Sequence, residues 1–148
     1  MFEWPDQELS DAEFITLICG ETGAGLLLDV ETLYLNASNH GFDPYEFLDA
    51  LPAGLVKEVH MAGGTTVHEN VLGRPILVDS HSHPAPGEVF DLLDHALLRQ
   101  TPAAIVLERD ERLDAVDEIL DDVERIRSRL ARRHPNHVHA PPPARSPG

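Results

Sequence analysis

Four short apolar runs in this chain each end at a residue that can bind a metal ion. In chain order, the runs are followed by Asp29, by His60, by Asp79 with His81 two residues later, and by Glu108. Four such positions, roughly 20 to 30 residues apart, are expected where parallel strands deliver side chains to one face of a barrel. The mixture of carboxylate and imidazole groups, with no cysteine among them, favours a hard or borderline metal such as iron or manganese.

Three of these residues also have a simpler structural explanation. Asp29 could cap the turn that follows it, and His60 could be a buried histidine with an ordinary hydrogen-bond partner. Glu108 could form a surface salt bridge, although the apolar run before it favours a residue that emerges from the core. Asp79 and His81 form the strongest local pair, because alternate residues of a strand project to the same side and can share one ion.

The composition indicates one acidic globular domain. The chain has 148 residues, of which 42% are hydrophobic, and a formal net charge of −15. This charge argues against nucleic acid or an anionic membrane as the main partner, because phosphates would be repelled. A basic peptide or metal cations are compatible ligands, and acidity that serves only solubility is an open alternative.

The compartment is inferred from what the sequence lacks. Cys19 is the sole cysteine, so no internal disulfide is possible, and it is predicted to be a small core residue. No apolar stretch approaches the roughly 18 residues of a membrane span, and the first residues do not resemble a signal peptide. The cytoplasm is therefore the expected location.

Helix and strand signals alternate along the chain. Ser10 and Glu13 form a capping box, and Asp43 followed by Pro44 marks a second helix start. The clearest helix carries an apolar stripe formed by Leu113, Val116, Ile119, Leu120, Val123, Ile126 and Leu130. Buried strands are predicted at residues 26–30, 55–60, 76–79 and 103–108, and a loop or short hairpin at residues 61–74. The alternation predicts an α/β class with a parallel sheet.

Four motifs in this order resemble those of a known family. Residues 25–44 read Gly-Leu-Leu-Leu-Asp-Val-Glu-Thr-Leu-Tyr-Leu-Asn-Ala-Ser-Asn-His-Gly-Phe-Asp-Pro. Later motifs are Glu-Val-His-Met-Ala-Gly at 58–63, Val-Asp-Ser-His at 78–81 and Leu-Glu-Arg-Asp at 107–110. Together they resemble the DUF692 (UPF0276) family of multinuclear non-heme iron-dependent oxidases, over roughly residues 8 to 130.

The resemblance implies a site and an activity. Members of this family have a TIM-type barrel that binds two or three irons, and several oxidise ribosomal precursor peptides, often at cysteine, which a second protein presents. The positions that match the family's metal ligands are Asp29, His60, Asp79, His81 and Glu108. Asp110 matches an acidic residue that can serve in proton transfer, and His40 matches a ligand or a residue next to the ligands.

This chain departs from the family pattern at two positions. Glu31 stands where the family usually has an Asn that can contact metal, and Gly64 stands where a His is common. Glu31 could serve as a charged ligand or could face water. Both departures favour the alternative of a protein that keeps the fold without a complete catalytic site.

The length is the largest departure. A (β/α)₈ barrel needs about 200 residues or more, so the resemblance implies only the C-terminal half of a barrel, about four βα units within residues 1–133. Residues 134–148, rich in Pro and His, are predicted to be a disordered tail. The chain is then a truncated or mis-started enzyme, one half of a split enzyme whose missing half is a partner, or a non-catalytic accessory protein. A half barrel exposes strand edges and its inner apolar face, which predicts marginal stability or self-association.

Overall fold

The computed structural model of the chain describes residues 7–68 and 73–133, and the predicted tail at 134–148 lies outside these residues. The described residues form five helices and five strands. In chain order they are α1 (Asp11–Thr22), β1 (Leu26–Asp29), α2 (Val30–His40), α3 (Pro44–Ala50), β2 (Val56–Met61), β3 (Thr65–His68), β4 (Pro75–Val78), α4 (Gly87–Ala96), β5 (Ala104–Leu107) and α5 (Val116–Arg133). None of these helices is long and apolar enough to cross a bilayer.

A parallel sheet of three strands forms the centre of the fold. Its order is β1-β2-β5, and the register pairs Asp29 with His60 and Met61 with Leu107. The predicted α/β class with a parallel sheet is therefore confirmed. Three of the four predicted strands belong to this sheet.

The fourth predicted strand, at residues 76–79, does not belong to the parallel sheet, so this part of the prediction is wrong. Its residues lie mostly in β4, which pairs antiparallel with β3 in a separate hairpin. A parallel return after β2 would need a crossover of about a dozen residues or more, usually a helix, and only the short β3 intervenes. The chain therefore folds back on itself, as the predicted hairpin within residues 61–74 allowed.

The helix boundaries follow the signals in the sequence. Ser10 and Glu13 form the predicted capping box of α1, which ends at Gly23 with a left-handed φ of 72°. Asp43 caps α3, with Pro44 as its first residue. Helix α2 had not been predicted, and it begins immediately after β1 because the Asp29 side chain accepts a hydrogen bond from the Thr32 backbone N–H at 2.8 Å.

The two faces of the parallel sheet differ in what covers them. Leu28 and Val59 are buried in the core, to which α2, α4 and α5 contribute the larger apolar side chains, including Val30, Leu33, Val89, Phe90, Leu93 and Ile126. Leu27 and Val106 point to the opposite side and are 48% and 37% exposed. The sheet therefore has one packed face and one open face within the described residues.

The apolar faces of the first and last helices are also only partly covered. Of the predicted stripe on α5, Ile126 is buried, whereas Leu113, Val116 and Leu120 are more than half exposed. Phe14 and Leu17 of α1 are exposed to a similar degree, whereas Cys19 is buried, as predicted. These faces lie at the two ends of the described chain.

Candidate metal centre

Two groups of three metal-binding side chains lie at the carboxyl ends of the parallel strands. The first triad consists of Asp29, His60 and Glu108, and one potential ligand atom from each lies within 4.8 Å of the others. Asp29 ends β1 and pairs with His60 in β2, and the Glu108 backbone N–H donates to the Met61 carbonyl at 2.8 Å. Parallel pairing therefore brings the three strand ends, and their side chains, to one edge of the sheet.

The second triad consists of Glu31, Asp79 and His81, again with ligand atoms within 4.8 Å of one another. Glu31 is the second residue of α2, whereas Asp79 and His81 follow the hairpin strand β4. The antiparallel hairpin, and not a fourth parallel strand, thus delivers two of these ligands.

Glu108 connects the two triads. Its Oε1 lies 3.1 Å from His60 Nδ1, and its Oε2 lies 3.6 Å from His81 Nδ1. A carboxylate with one oxygen toward each group is suited to bridging two cations. The six side chains therefore form one continuous site.

Asn39 fastens the hairpin to α2. Its side-chain Nδ2 donates to the Leu77 carbonyl at 2.8 Å, and its Oδ1 accepts from the Leu77 backbone N–H at 3.1 Å. Two residues farther along, Thr32 Oγ1 donates to Asp79 Oδ2 at 3.2 Å. Because α2 also carries Glu31, these contacts fix the hairpin ligands relative to the third member of their triad.

A buried ion pair supports the two loops on the other side of the site. The Arg109 side chain is 4% exposed, and its Nη2 lies 3.7 Å from Asp122 Oδ2 on α5. Asp122 Oδ2 also accepts from the Ala85 backbone N–H at 2.9 Å, and Arg109 Nη1 donates to the Ser82 carbonyl. The loop that carries His81 and the loop that carries Glu108 are therefore anchored to the same helix.

Glu31 is the most unusual residue of the site. Its side chain is 1% exposed, and neither carboxylate oxygen has a hydrogen-bond partner among the described residues. Burial, and secondarily the nearby Asp79 carboxylate, raises the pKa of Glu31 to about 7. A buried carboxylate without a partner is unfavourable unless a proton or a cation compensates it.

The two histidines are surrounded by carboxylates. The hydrogen bond that His60 donates to the Glu58 carboxylate raises the pKa of His60, and Glu108 acts in the same direction. For His81 burial is the largest single effect and lowers the pKa, but the surrounding carboxylates together outweigh it and raise the pKa above its ordinary value. Both rings lie in a strongly negative field that favours a positive charge at the site.

The contacts of His81 fit a cation better than a hydrogen bond. Its Nε2 lies 2.7 Å from Asp79 Oδ1, yet this nitrogen is buried and has no hydrogen-bond partner among the described residues. The residue also has a φ of 47°, in the left-handed region that non-glycine residues rarely adopt. Nitrogen and oxygen atoms that converge without a hydrogen bond are typical of ligands around a metal ion. The donor set of the second triad therefore fits a cation.

The structure brings together five of the six residues predicted as metal ligands. Asp29 caps α2 and is also a member of the first triad. The two roles are compatible, because the two oxygens of a carboxylate can accept a hydrogen bond and also bind a cation. Asp110, predicted for proton transfer, lies beside the site with Oδ2 3.2 Å from His81 Nδ1, and its side chain is 74% exposed.

His40 lies outside the site, contrary to the prediction. It is the last residue of the 11-residue helix α2, whose first turn carries Glu31. A helix of this length places its ends about 15 Å apart, at 1.5 Å per residue. His40 instead lines a surface cleft with Ser10 and Phe42. The Asn-His-Gly motif matched in sequence, but the helix carries its imidazole away from the ligands.

Two residues of the site were undervalued or missed in the sequence. The sequence allows Glu31 to be a charged ligand or a residue that faces water, and its burial excludes the second alternative. Glu58, which is not among the predicted site residues, contacts His60 Nε2 through its Oε1 at 2.8 Å. Its position two residues before His60 in a strand was the available signal, because such residues share a face.

Comparison with known proteins identifies related sequences. A family model described as "RiPP precursor modification enzyme MbnB/TglH/ChrH" matches residues 1–131. A UPF0276 protein of Caulobacter vibrioides is 38% identical over 123 residues, which are 83% of this chain and 42% of the relative. A UPF0276 protein of Rhizorhabdus wittichii is 37% identical over 119 residues, covering 80% of this chain and 41% of the relative. The chain thus spans less than half the length of these relatives.

Proposed function

This chain belongs to the MbnB/TglH/ChrH family of RiPP precursor modification enzymes, and on this premise we propose that it is part of a metal-dependent enzyme that oxidises ribosomal precursor peptides. The observation that carries the proposal is the pair of triads joined by Glu108. The second triad contains the buried Glu31 carboxylate, whose oxygens have no hydrogen-bond partner among the described residues. The resemblance to the iron-dependent oxidases supports peptide oxidation as the reaction.

The donor chemistry supports iron as the metal. Each triad offers two carboxylates and one imidazole, a hard and borderline set that suits iron or manganese better than a soft, thiolate-binding metal. Asp29, His60 and Glu108 would bind one ion, and Glu31, Asp79 and His81 a second. The chemistry supplied by bound iron would be the transfer of electrons from a cysteine thiolate of the peptide to dioxygen.

The chain's own residues would manage charge and protons around this reaction. Asp110 is exposed and lies beside His81, which suits a proton acceptor that must exchange with solvent. Its backbone N–H donates to the His81 carbonyl at 2.9 Å, so the carboxylate is held next to the site. The carboxylates of Glu31 and Asp79 would offset the positive charge of the bound ion.

We propose that the open face of the sheet is covered by further elements that complete a TIM-type barrel. β1 and β5 each have one strand neighbour among the described residues, and Leu27 and Val106 of the open face are exposed. A cleft of about 330 Å³ beside β1 is lined by Phe14, Leu27 and other apolar residues. Since the matched residues are less than half of each relative, the covering elements belong to the rest of a longer polypeptide or to a separate partner chain. A second protein that presents the peptide is a further proposed partner.

The open face also supports a second candidate, a non-catalytic accessory protein or fragment. A site exposed on one side would bind metal without the shielding that an oxidase needs to avoid side reactions. Glu31 weakens this candidate, because it is buried against the ligands and not turned to water. Oxidation of a cysteine-containing peptide by this chain, alone or with its complement, would exclude the accessory role.

Metal content tests the proposal directly. The chain is reconstituted with Fe(II) without oxygen and desalted, and the bound iron is quantified. We expect retained iron in the wild type and in His40→Ala, whose imidazole lies at the far end of α2, and loss of iron in the double variant Asp29→Ala, His81→Ala. A folded wild-type protein that retains no iron, or a double variant that retains as much as His40→Ala, would contradict the proposed centre.

A further inference from the structure

The imidazole of His60 lies between two carboxylates, one that belongs to the first triad and one that belongs to neither triad. Its Nδ1 lies 3.1 Å from Oε1 of Glu108, a member of the first triad. Its Nε2 lies 2.8 Å from Oε1 of Glu58, in hydrogen-bond geometry. Glu58 is outside both triads, so the two ring nitrogens of His60 face two different surroundings.

The location of Glu58 explains this contact. Glu58 and His60 are separated by one residue of β2, so both side chains project from the same, open face of the sheet. The neighbours of Glu58 across the sheet are Leu27 in β1 and Ala104 in β5, neither of which offers a competing charge or hydrogen bond. His60 is therefore the polar group to which this carboxylate is directed.

A neutral imidazole has one N–H and one lone pair, so its two nitrogens cannot both donate. If Nε2 donates to Glu58, the lone pair lies on Nδ1 and faces Asp29 and Glu108. Histidines that bind metals almost always donate their second N–H to a carboxylate, carbonyl or water, which fixes the ring orientation.

We propose that Glu58 is a positioning residue, which keeps the N–H of His60 on Nε2 and so presents Nδ1 to the metal of the first triad. This inference rests on the proposed metal centre. Glu58 acts through His60 and does not itself contact the ion. Its loss weakens metal binding without unfolding the protein, because the carboxylate is partly exposed and contributes no core packing.

Titration of the metal-free full chain with Co²⁺, followed by its visible absorption, tests this role. We expect Glu58→Ala to weaken Co²⁺ binding by about 10- to 100-fold. Glu58→Gln retains an acceptor oxygen and should lose less, and Glu21→Ala, an exposed glutamate at the end of α1, should bind like the wild type. All metal-free variants should remain folded and unfold in a cooperative thermal transition, so that a loss of Co²⁺ binding is not a loss of the fold. Wild-type affinity in Glu58→Ala would overturn the inference, whereas a wild type that binds no Co²⁺ would overturn the metal centre itself.

Nitrogen-15 spectra of the histidine rings provide a readout independent of metal. In the metal-free wild type at a pH above the pKa of His60, we expect the N–H of this ring on Nε2, with slowed exchange of its proton. Glu58→Gln should retain the slowed exchange, and Glu58→Ala should lose it. A wild-type ring with its proton on Nδ1, or an unchanged exchange rate in Glu58→Ala, would show that Glu58 does not position His60.

Discussion

At the scale of single residues, Glu31 determines the electrostatics of the site. Its two oxygens are buried without hydrogen bonds, and Asp79 and His81 are its nearest titratable neighbours. In the metal-free protein a proton on Glu31 compensates the burial, and in the proposed metal-loaded protein a cation would replace this proton. Metal binding should therefore release protons.

The pH dependence of metal-free stability follows from this residue. The unfolded chain loses the Glu31 proton above its ordinary pKa of 4.5, whereas the folded chain keeps it until about 7. The folded state therefore binds more protons in this interval, and stability should fall as the pH rises, by roughly 3 kcal/mol for Glu31 at most. His60 and His81, whose pKa values are raised, lose their contribution as the pH rises through these values.

Chemical denaturation with a chelator present, at pH 5 and pH 8, measures this effect. We expect Glu31→Gln to flatten the pH dependence and to raise stability at pH 8, because the amide cannot become charged. The same variant should lose metal at the second triad. A Glu31→Gln protein with the wild-type pH dependence would show that Glu31 is not the group responsible.

Gly64 is required because the Glu31 carboxylate and the Val78 carbonyl both lie close to its Cα. A Cβ at this position would lie 2.6 Å from Glu31 Oε1 and would also clash with the Val78 carbonyl, next to Asp79. We expect Gly64→Ala to destabilise the protein by about 1–3 kcal/mol and to weaken metal binding, because the backbone must move. Denaturant unfolding and iron content measure both effects.

Gly20 provides the matched control for this substitution. It lies within α1, and a Cβ there would meet nothing within 4 Å. Gly20→Ala should stabilise the protein by about 0.5–1 kcal/mol through helix propensity and leave metal binding unchanged. Equal stability losses in the two alanine variants would contradict the proposed steric role of Gly64.

At the scale of elements, the hairpin β3–β4 is the element that makes the second triad possible. It is attached to α2 through both amide atoms of Asn39, which bind the backbone of Leu77. The parallel strands supply the first triad by register alone, but within residues 7–68 and 73–133 the hairpin does not pair with the parallel sheet. The positions of Asp79 and His81 therefore depend on the two hydrogen bonds of the Asn39 side chain, which we call the Asn39 clamp.

Removal of this clamp should affect the second triad selectively. Asn39→Ala leaves the N–H and carbonyl of Leu77 without these partners, and we expect a loss of about 1–3 kcal/mol in stability. Binding of the second iron should weaken more than binding of the first, as measured by stepwise anaerobic titration. Ser38→Ala, one residue earlier in α2, serves as the control. Equal weakening of both irons would argue against a local role for Asn39.

At the scale of the whole molecule, the described fold is a sheet with one face left open. Leu27 and Val106 on that face, and Phe14 and Leu17 on α1, form apolar surface beside unpaired strand edges. Such surfaces promote association between chains. The net charge of −15 opposes association, because the chains repel one another. Added salt screens this repulsion and should therefore favour association.

We therefore expect the isolated chain to self-associate reversibly as concentration and salt increase. The double variant Leu27→Lys, Val106→Lys should reduce association, whereas Leu98→Lys, at another exposed leucine beyond α4, should not. Sedimentation velocity over a range of concentrations measures the mass. A wild type that stays monomeric throughout, with a sharp reversible melt, would contradict this prediction.

The features that the sequence determined by itself are local. Ser10, Glu13 and Asp43 mark helix starts because a cap bonds to residues two or three positions away. The apolar runs before Asp29 and Glu108 indicate strands because burial of a strand requires consecutive apolar residues. Such signals depend on neighbours in the chain and survive in any tertiary context.

Only the tertiary structure decided the partner of β4, the burial of Glu31 and the exclusion of His40 from the site. A parallel return is usually made through a crossover helix, but the segment after β2 forms the strand β3, with which β4 pairs antiparallel. The surroundings of Glu31 come from the hairpin, almost fifty residues later in the chain, about which the sequence near Glu31 carries no information. His40 matched a motif, but it lies at the end of α2 opposite to Glu31 and therefore away from the ligands. The direction of α2 is set by its packing against distant elements, which the motif does not encode.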